Sequence, residues 1–285
     1  MSIPKIIHYC WFGGGELPSL AKECIASWRK HLPEYRIIQW SEERYIDEVR
    51  MRTLADEVRV FDVNIVPYTA EAYRLGKYAF VSDYARFWII YHYGGIYFDT
   101  DVEVIRSMDS VIAQGNFMGF EVDPDGENTP GRYAPRFCFS VNLGLGFCME
   151  PRHWFMQRML DHYAKLQFGL PPADITWYKT IVAHTTEQLC YLGLKNVPGI
   201  QKVHDIMIYP REYFAPINLM TGRLHVTEHT YTIHRYAGTW NAGNMSITER
   251  IKRLLKEIIP EKLFVWNNKI KRRGYRIHHN ETSNL

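Results

Sequence analysis

The sequence predicts an α/β fold organised around a mixed, mostly parallel central sheet, and three observations carry that expectation. Residues 5–11 form an apolar, β-rich run stopped by Gly13, Gly14 and Gly15; residues 18–31 show helical spacing through Leu20, Cys24, Ile25 and Trp28; residues 35–40 are β-rich again. Strand, helix and strand in succession is the pattern of parallel strands joined by crossover helices. Further on, residues 91–104 read YHYGGIYFDTDVEV, an apolar strand running straight into Asp99, Thr100 and Asp101. No run reaches the roughly 18 apolar residues of a membrane helix, so no segment is expected to span a bilayer.

The remaining elements follow in order. Ser41 is a candidate N-cap for a helix beginning near Glu42 and Glu43, with Arg44 where a capping box wants Glu or Gln. Residues 68–93 are a long helical region broken near Gly76, and its second half, 78–93, is dense in aromatics and ends at the glycine pair Gly94 and Gly95. Residues 121–135 are polar and rich in Pro and Gly, a surface loop of the kind that often carries function. Residues 137–147 read as a buried strand containing Gly144 and Gly146, and 151–166 as a helix. Late strands are expected at 207–213 and 230–234. Residues 247–259 keep an amphipathic period through Ile247, Ile251, Leu254, Leu255, Ile258 and Ile259, and 269–285 are basic and then polar. The expected division is a domain over 1–245 and an amphipathic, basic helix and tail over 246–285.

Composition narrows the function. The chain has 285 residues, enough for one large domain, and its net charge of +3 is too small to argue for nucleic acid. The basic excess sits in the tail, where ten Lys/Arg stand against four Asp/Glu from residue 249 onward. Five cysteines without a CxxC pair suggest neither a disulfide framework nor a zinc site; reduced thiols in a cytoplasmic protein are the expectation. The first 15 residues lack the apolar core of a secretory leader.

The chemistry concentrates in a few residues. Asp99 and Asp101 stand two apart, so on a strand both face the same side and reach one cation, with Glu103 continuing the alternation. Carboxylate oxygens are hard ligands suited to Mg²⁺ or Mn²⁺. Asp is also common where a strand enters a turn, and the pair alone leaves both readings open. Asp83 and Arg86 share one face of a helix whose other residues are nearly all apolar, so these two polar side chains need a purpose beyond solubility. Arg suits bidentate recognition of phosphate. Trp11, at the end of the first strand, is placed to stack on a base, because ligands of open α/β sheets bind outside the carboxyl ends of the strands; a core Trp is the other reading. His234 is a potential metal ligand, although a single His is more often structural. Serine-hydrolase and P-loop motifs are absent.

Four segments together, IPKIIHYCWFGG (3–14), FVSDYARFWIIYHYGGIYFDTDVEV (80–104), IYPREYFAP (208–216) and TYTIHRYAGTW (230–240), resemble glycosyltransferase family 32. This is the family of bacterial capsular and polysaccharide transferases, related to yeast mannosyltransferases and the clostridial glucosylating toxins. The combination S-D-x-x-R followed by GG-I-Y-x-D-x-D is far more specific than D-x-D alone. The resemblance implies a GT-A fold, a Rossmann-like sandwich binding a nucleotide-sugar with Mn²⁺ or Mg²⁺. By the same resemblance, Tyr9 and Trp11 would bind the nucleotide, Asp83 and Arg86 the donor sugar and diphosphate, and Asn142 the donor sugar. Asp99 would contact the donor or the metal and its water, Asp101 would ligate the metal, and His234 and Trp240 would close over the diphosphate, His234 as a further ligand.

The implied activity is metal-dependent, retaining transfer of a hexose, from a UDP-sugar by preference, to a glycan or lipid-linked oligosaccharide in surface polysaccharide or capsule biosynthesis. Two other classes compete with it: a metal phosphohydrolase using Asp99, Asp101 and Glu103, and a non-catalytic glycan-binding protein. No nucleic-acid partner is expected. The basic tail suits the anionic inner face of the plasma membrane, where a lipid-linked acceptor would be presented, and equally suits a packed helix with a solvated end.

Overall fold

A computed structural model describes residues 3–126, 139–169, 180–219 and 221–238. Along the first third of the chain run β1 (Ile6–Cys10), α1 (Ser19–His31), β2 (Arg36–Ser41), α2 (Ile46–Arg52), β3 (Glu57–Val60), α3 (Pro67–Arg74), α4 (Tyr78–Tyr93), β4 (Gly95–Tyr97) and β5 (Val102–Val104). Then come α5 (Asp109–Ile112), β6 (Phe117–Val122), β7 (Ser140–Val141), β8 (Phe147–Met149), α6 (Trp154–Tyr163), α7 (Ile181–Tyr191), β9 (Gln201–Val203), β10 (Ile206–Tyr209) and β11 (Thr232–His234). The described residues of 3–216 and 226–238 fall in one compact unit. The described residues of 217–225 fall in a second, where an antiparallel bridge joins Ile217 to Leu224.

The central sheet has the strand order β3-β2-β1-β4-β8-β6-β10-β9, with β7 beside β6. β1 pairs in parallel with β2 and with β4, β2 with β3, and β6 with β10. β8 lies antiparallel between β4 and β6, so those two strands point the same way. The mixed, mostly parallel sheet expected from the sequence is therefore present, with the carboxyl ends of β1, β2 and β4 on one rim.

Alternation along the strands separates two cores. Ile7, Tyr9 and Ile37 join Trp28 of α1 and Phe98 in one cluster, while Cys10, Ile38 and Trp40 join α4 and α6 in the other. α1 buries Ala21, Cys24, Ile25 and Trp28 at helical spacing, and the Trp28 indole donates to Val102 O at 2.6 Å, tying this helix to β5. The predicted break near Gly76 separates α3 from α4. α3 carries Pro67 at its first turn, where the missing N–H costs nothing. α4 stops at Gly94, whose φ of 62° favours glycine and where a Cβ would strike Pro151.

Three local expectations are corrected. Ser41 is the last residue of β2, held by its pairing with Val60, and the following 3₁₀ turn (Glu43–Tyr45) has no side-chain cap. Of the strand expected over 137–147, the described residues 139–147 do not form one strand: β7, a 3₁₀ turn over Leu143–Leu145 and the start of β8 replace it, because Asn142 caps the turn and Gly146 takes a φ of 114°. Asp99 and Asp101 lie in the turn between β4 and β5, closed by Val102 N–H donating to Asp99 O at 3.1 Å, rather than on a strand. The helix expected over 247–259, the basic tail and most of the 121–135 loop lie outside the described residues.

Candidate active site

The site is assembled from α4, the β4–β5 turn, β11 and the turn after β7. On α4, Asp83 and Arg86 are both buried among apolar neighbours. Arg86 Nη2 lies 3.2 Å from Asp83 Oδ1 and 3.3 Å from Asp99 Oδ1, and Nε donates to Ser82 O at 3.1 Å. The guanidinium sits 4.8 Å from the Tyr97 ring centroid. Nη1 is buried with no partner. A buried guanidinium with one idle arm is costly unless something else engages it, which is the purpose the sequence asked for. Burial raises the Asp83 carboxyl above the ordinary carboxylate range, against the pull of Arg86.

The β4–β5 turn delivers the two aspartates. Phe98 N–H donates to His8 O at 3.1 Å, extending the β1–β4 ladder to the edge of the turn. Asp99 N–H then donates to Gly144 O at 3.3 Å. The Asp99 carboxylate lies directly over Gly144, where a Cβ would overlap Oδ2.

β11 closes the other side. It pairs antiparallel with β5, Thr232 opposite Val104 and His234 opposite Val102. That register brings His234 Nε2 to 3.2 Å from Asp101 Oδ1. Arg235 N–H donates to Asp101 O at 2.9 Å and Ala237 N–H to Asp101 Oδ2 at 2.8 Å. Burial acts to raise the Asp101 carboxyl, but His234 and the Ala237 N–H outweigh it and bring it down to about 2. For His234 burial acts downward, and Asp101, with Asp99 and Glu121 further off, turns the net shift upward. His234 Nδ1 is buried and unpartnered.

Asp99, Asp101 and His234 each offer a ligand atom within 4.8 Å of the others. Two carboxylates and an imidazole fit a divalent cation, and Mn²⁺ accepts that mixed oxygen and nitrogen set. Glu103 is not part of this group; its carboxylate pairs with Arg235. The three-carboxylate arrangement expected of a phosphohydrolase is therefore not formed.

The other expected residues divide. Asn142 is buried beside the aspartates, its Oδ1 accepting from Gly144 N–H at 2.7 Å and its Nδ2 donating to Glu121 Oε1 at 2.9 Å. Trp11 is partly exposed on the sheet rim and lines a cavity of about 90 Å³ with Lys22, Gln39 and Arg52. Tyr9 is fully buried, edge-on to Trp28, and its hydroxyl donates to Gln39 Oε1 at 2.8 Å, so it backs that cavity through Gln39. Trp240 lies outside the described residues. Two contributors escaped the sequence reading, Ala237 N–H and Glu121. The first left no signal, being a main-chain group. The second did, as a lone carboxylate inside the apolar run FMGFEV.

Residues 18–118 match the family described as "Glycosyltransferase sugar-binding region containing DXD motif". The chain is 23% identical over 166 residues to inositol phosphoceramide mannosyltransferase 1 of Schizosaccharomyces pombe, covering 57% of this chain and 43% of that protein. It is 28% identical over 159 residues to inositol phosphoceramide mannosyltransferase 3 of the same yeast, covering 50% and 40%. The chain thus spans less than half the length of these curated relatives. A solved structure titled "PaToxG Glycosyltransferase" overlaps 66% of this chain and 69% of its own at a TM-score of 0.44 and 16% identity, a partial likeness on which no argument rests.

Proposed function

We propose that this chain, which carries a glycosyltransferase sugar-binding region containing a DXD motif, is a divalent-cation-assisted, retaining glycosyltransferase. In this reading it moves a hexose from a nucleotide-sugar, a UDP-sugar by preference, to a glycan acceptor in surface polysaccharide synthesis. One observation carries the reading: three separate segments converge so that Arg86, Asp99, Asp101 and His234 meet at one rim of the sheet.

Charge grows on the departing diphosphate in the transition state, and groups aimed at that charge lower the barrier. Bound at Asp101, Asp99 and His234, Mn²⁺ would supply positive charge to that diphosphate. The chain's own residues do the rest. Arg86, fixed by Asp83 and Asp99, presents its idle Nη1 as a donor to the donor sugar or its diphosphate. Asp101 is held ionised by His234 and Ala237 N–H, so it stays ready as a ligand across the working pH range. Asp99 is held between Arg86 and the Gly144 turn, at the point where the sugar would meet the diphosphate. Trp11 would stack on the base and Tyr9 would support that wall through Gln39; Trp240, the residue expected at the diphosphate, lies outside the described residues. The route is a front-face departure through an oxocarbenium-like ion pair.

The mannosyltransferase names of the relatives add mannose to the sugars worth screening. Among the described residues no helix is long and apolar enough to cross a membrane, and contact of the 246–285 tail with an anionic, lipid-linked acceptor surface belongs to the proposal. Thermal denaturation against UDP- and GDP-sugars, with Mn²⁺ and with a chelator, tests the reading. Metal-dependent stabilisation by at least one of them is expected. A flat response to every nucleotide contradicts it.

A further inference from the structure

Behind the aspartates lies a group for which neither the metal nor the nucleotide has a use. Glu121 on β6 is 5% exposed, next to the carboxyl end of a strand buried along nearly its whole length. Its Oε1 accepts from Asn142 Nδ2 at 2.9 Å, and its Oε2 is buried with no partner. The pairing of β6 with β7 shifts at this residue: Phe120 stands opposite Val141 and Val122 opposite Ser140, so Glu121 is the extra residue of a β-bulge. Bulges beside active sites re-aim a side chain. An ionisable group with an idle oxygen in an apolar strand adds little to stability, and replacing it together with its Asn142 partner by apolar residues would cost no more. Local rules are broken in this way mainly where function needs it.

The hydrogen bonds show what the carboxyl controls. Asn142 can present either its oxygen or its NH₂ to the turn that follows it. Glu121 is an acceptor, so it takes the NH₂ and leaves Oδ1 facing Gly144 N–H at 2.7 Å. That bond starts the 3₁₀ turn Leu143–Leu145. Gly144 O then accepts from Asp99 N–H, and the Asp99 carboxylate rests on the bare Gly144 Cα.

We infer that Glu121 is a positioning residue of the sugar-transfer site, fixing the Asn142 amide so that the Gly144 turn holds Asp99 in place. This rests on the glycosyltransferase reading for its catalytic consequence, but not for its geometry. Groups that orient metal-site residues from behind typically matter 10- to 100-fold.

The test pairs Glu121→Gln, which keeps an acceptor for Asn142, with Glu121→Leu, which removes it. Both are assayed for donor turnover well below their unfolding temperatures. Glu121→Gln should keep kcat/KM within about threefold of wild type, and Glu121→Leu should lose about 10- to 100-fold, mostly in kcat. Three results overturn the inference: Glu121→Leu retaining wild-type kcat/KM, Glu121→Gln falling as far as Glu121→Leu, or a loss in Glu121→Leu that only follows its folded fraction. Proton exchange of the Asn142 side-chain amide, read by NMR, separates this from failure of the sugar-transfer reading. Absence of turnover by wild type on every donor would sink that reading alone. The Asn142 NH₂ should still exchange slowly in wild type and at least about tenfold faster in Glu121→Leu, and equal exchange in the two overturns the positioning role.

Discussion

The Asp99 carboxylate occupies the space that a side chain on Gly144 would fill. The two residues are also joined through the main chain, Asp99 N–H donating to Gly144 O at 3.3 Å. Backbone freedom is not the issue at this position; what matters is that the carboxylate rests where only a hydrogen projects. Gly144→Ala should therefore push Asp99 off its seat. We expect kcat/KM to fall about 100-fold while overpacking costs only about 1–3 kcal/mol of stability. Steady-state kinetics and urea unfolding of the one variant check both; unchanged kinetics with full stability would remove Asp99 from the site.

Asp101 and His234 form the second junction, at 3.2 Å across the β5–β11 pair. His234→Ala should weaken Mn²⁺ binding by at least about 10- to 100-fold, the loss already usual when only a group supporting a metal ligand from behind is removed, and leave the central sheet folded. Free Mn²⁺ counted by electron paramagnetic resonance reads this directly. Equal binding by wild type and variant would make His234 a partner of the Asp101 carboxylate and nothing more.

Arg86 cannot be exchanged for Lys. One arm of its fork, Nη2, meets both Asp83 and Asp99 while Nε donates to Ser82 O, leaving Nη1 to spare, and an ammonium offers no such planar set of donors. Arg86→Lys should lower kcat/KM by about 100-fold or more, on the scale seen for removing one donor aimed at developing charge. Donor kinetics decide; a loss under about threefold would place Arg86 in the packing rather than the chemistry.

Much of this site was legible in the sequence. Asp83 and Arg86 announced themselves because two polar residues three apart in an apolar helix must be paired, and the structure pairs them. The aspartate pair was legible as chemistry but misread as strand, since alternation alone cannot tell a strand end from the turn that follows it. The break at Gly76 was readable from one glycine. β3 was not, because EVRV is a half-exposed strand without the apolar alternation that marks a buried face. α7 was missed for a similar reason: TTEQ interrupts its apolar residues, and its buried side includes Thr185, Thr186 and Gln188. Glu121 required the fold, since its link to Asn142 crosses 21 residues.

A pH prediction concerns stability rather than catalysis. His8 is fully buried on β1; its Nδ1 accepts from the Trp40 indole and its Nε2 donates to Gly94 O, both at 3.1 Å. The neutral ring satisfies both bonds, and protonating Nδ1 destroys one. Burial accordingly lowers its pKa from 6.5 to about 3. The unfolded chain takes up a proton as pH falls below 6.5, whereas the folded chain resists until about 3, so stability is lost on acidification through that window. From about pH 7 to about pH 5 this one residue should account for about 2 kcal/mol of lost stability. Denaturant unfolding of wild type and His8→Gln at the two pH values measures it; parallel losses in both proteins would assign the acid sensitivity elsewhere.

The central claim is that Asp101 holds a cation against a departing nucleoside diphosphate. Its most direct test is release of nucleotide from a panel of UDP- and GDP-sugars, in Mn²⁺ and in chelator, by wild type and by Asp101→Asn. The account predicts release from at least one donor by wild type in Mn²⁺ only, with Asp101→Asn reduced at least about 100-fold while still folded. Release that survives the chelator, or that Asp101→Asn sustains at the wild-type rate, would contradict it.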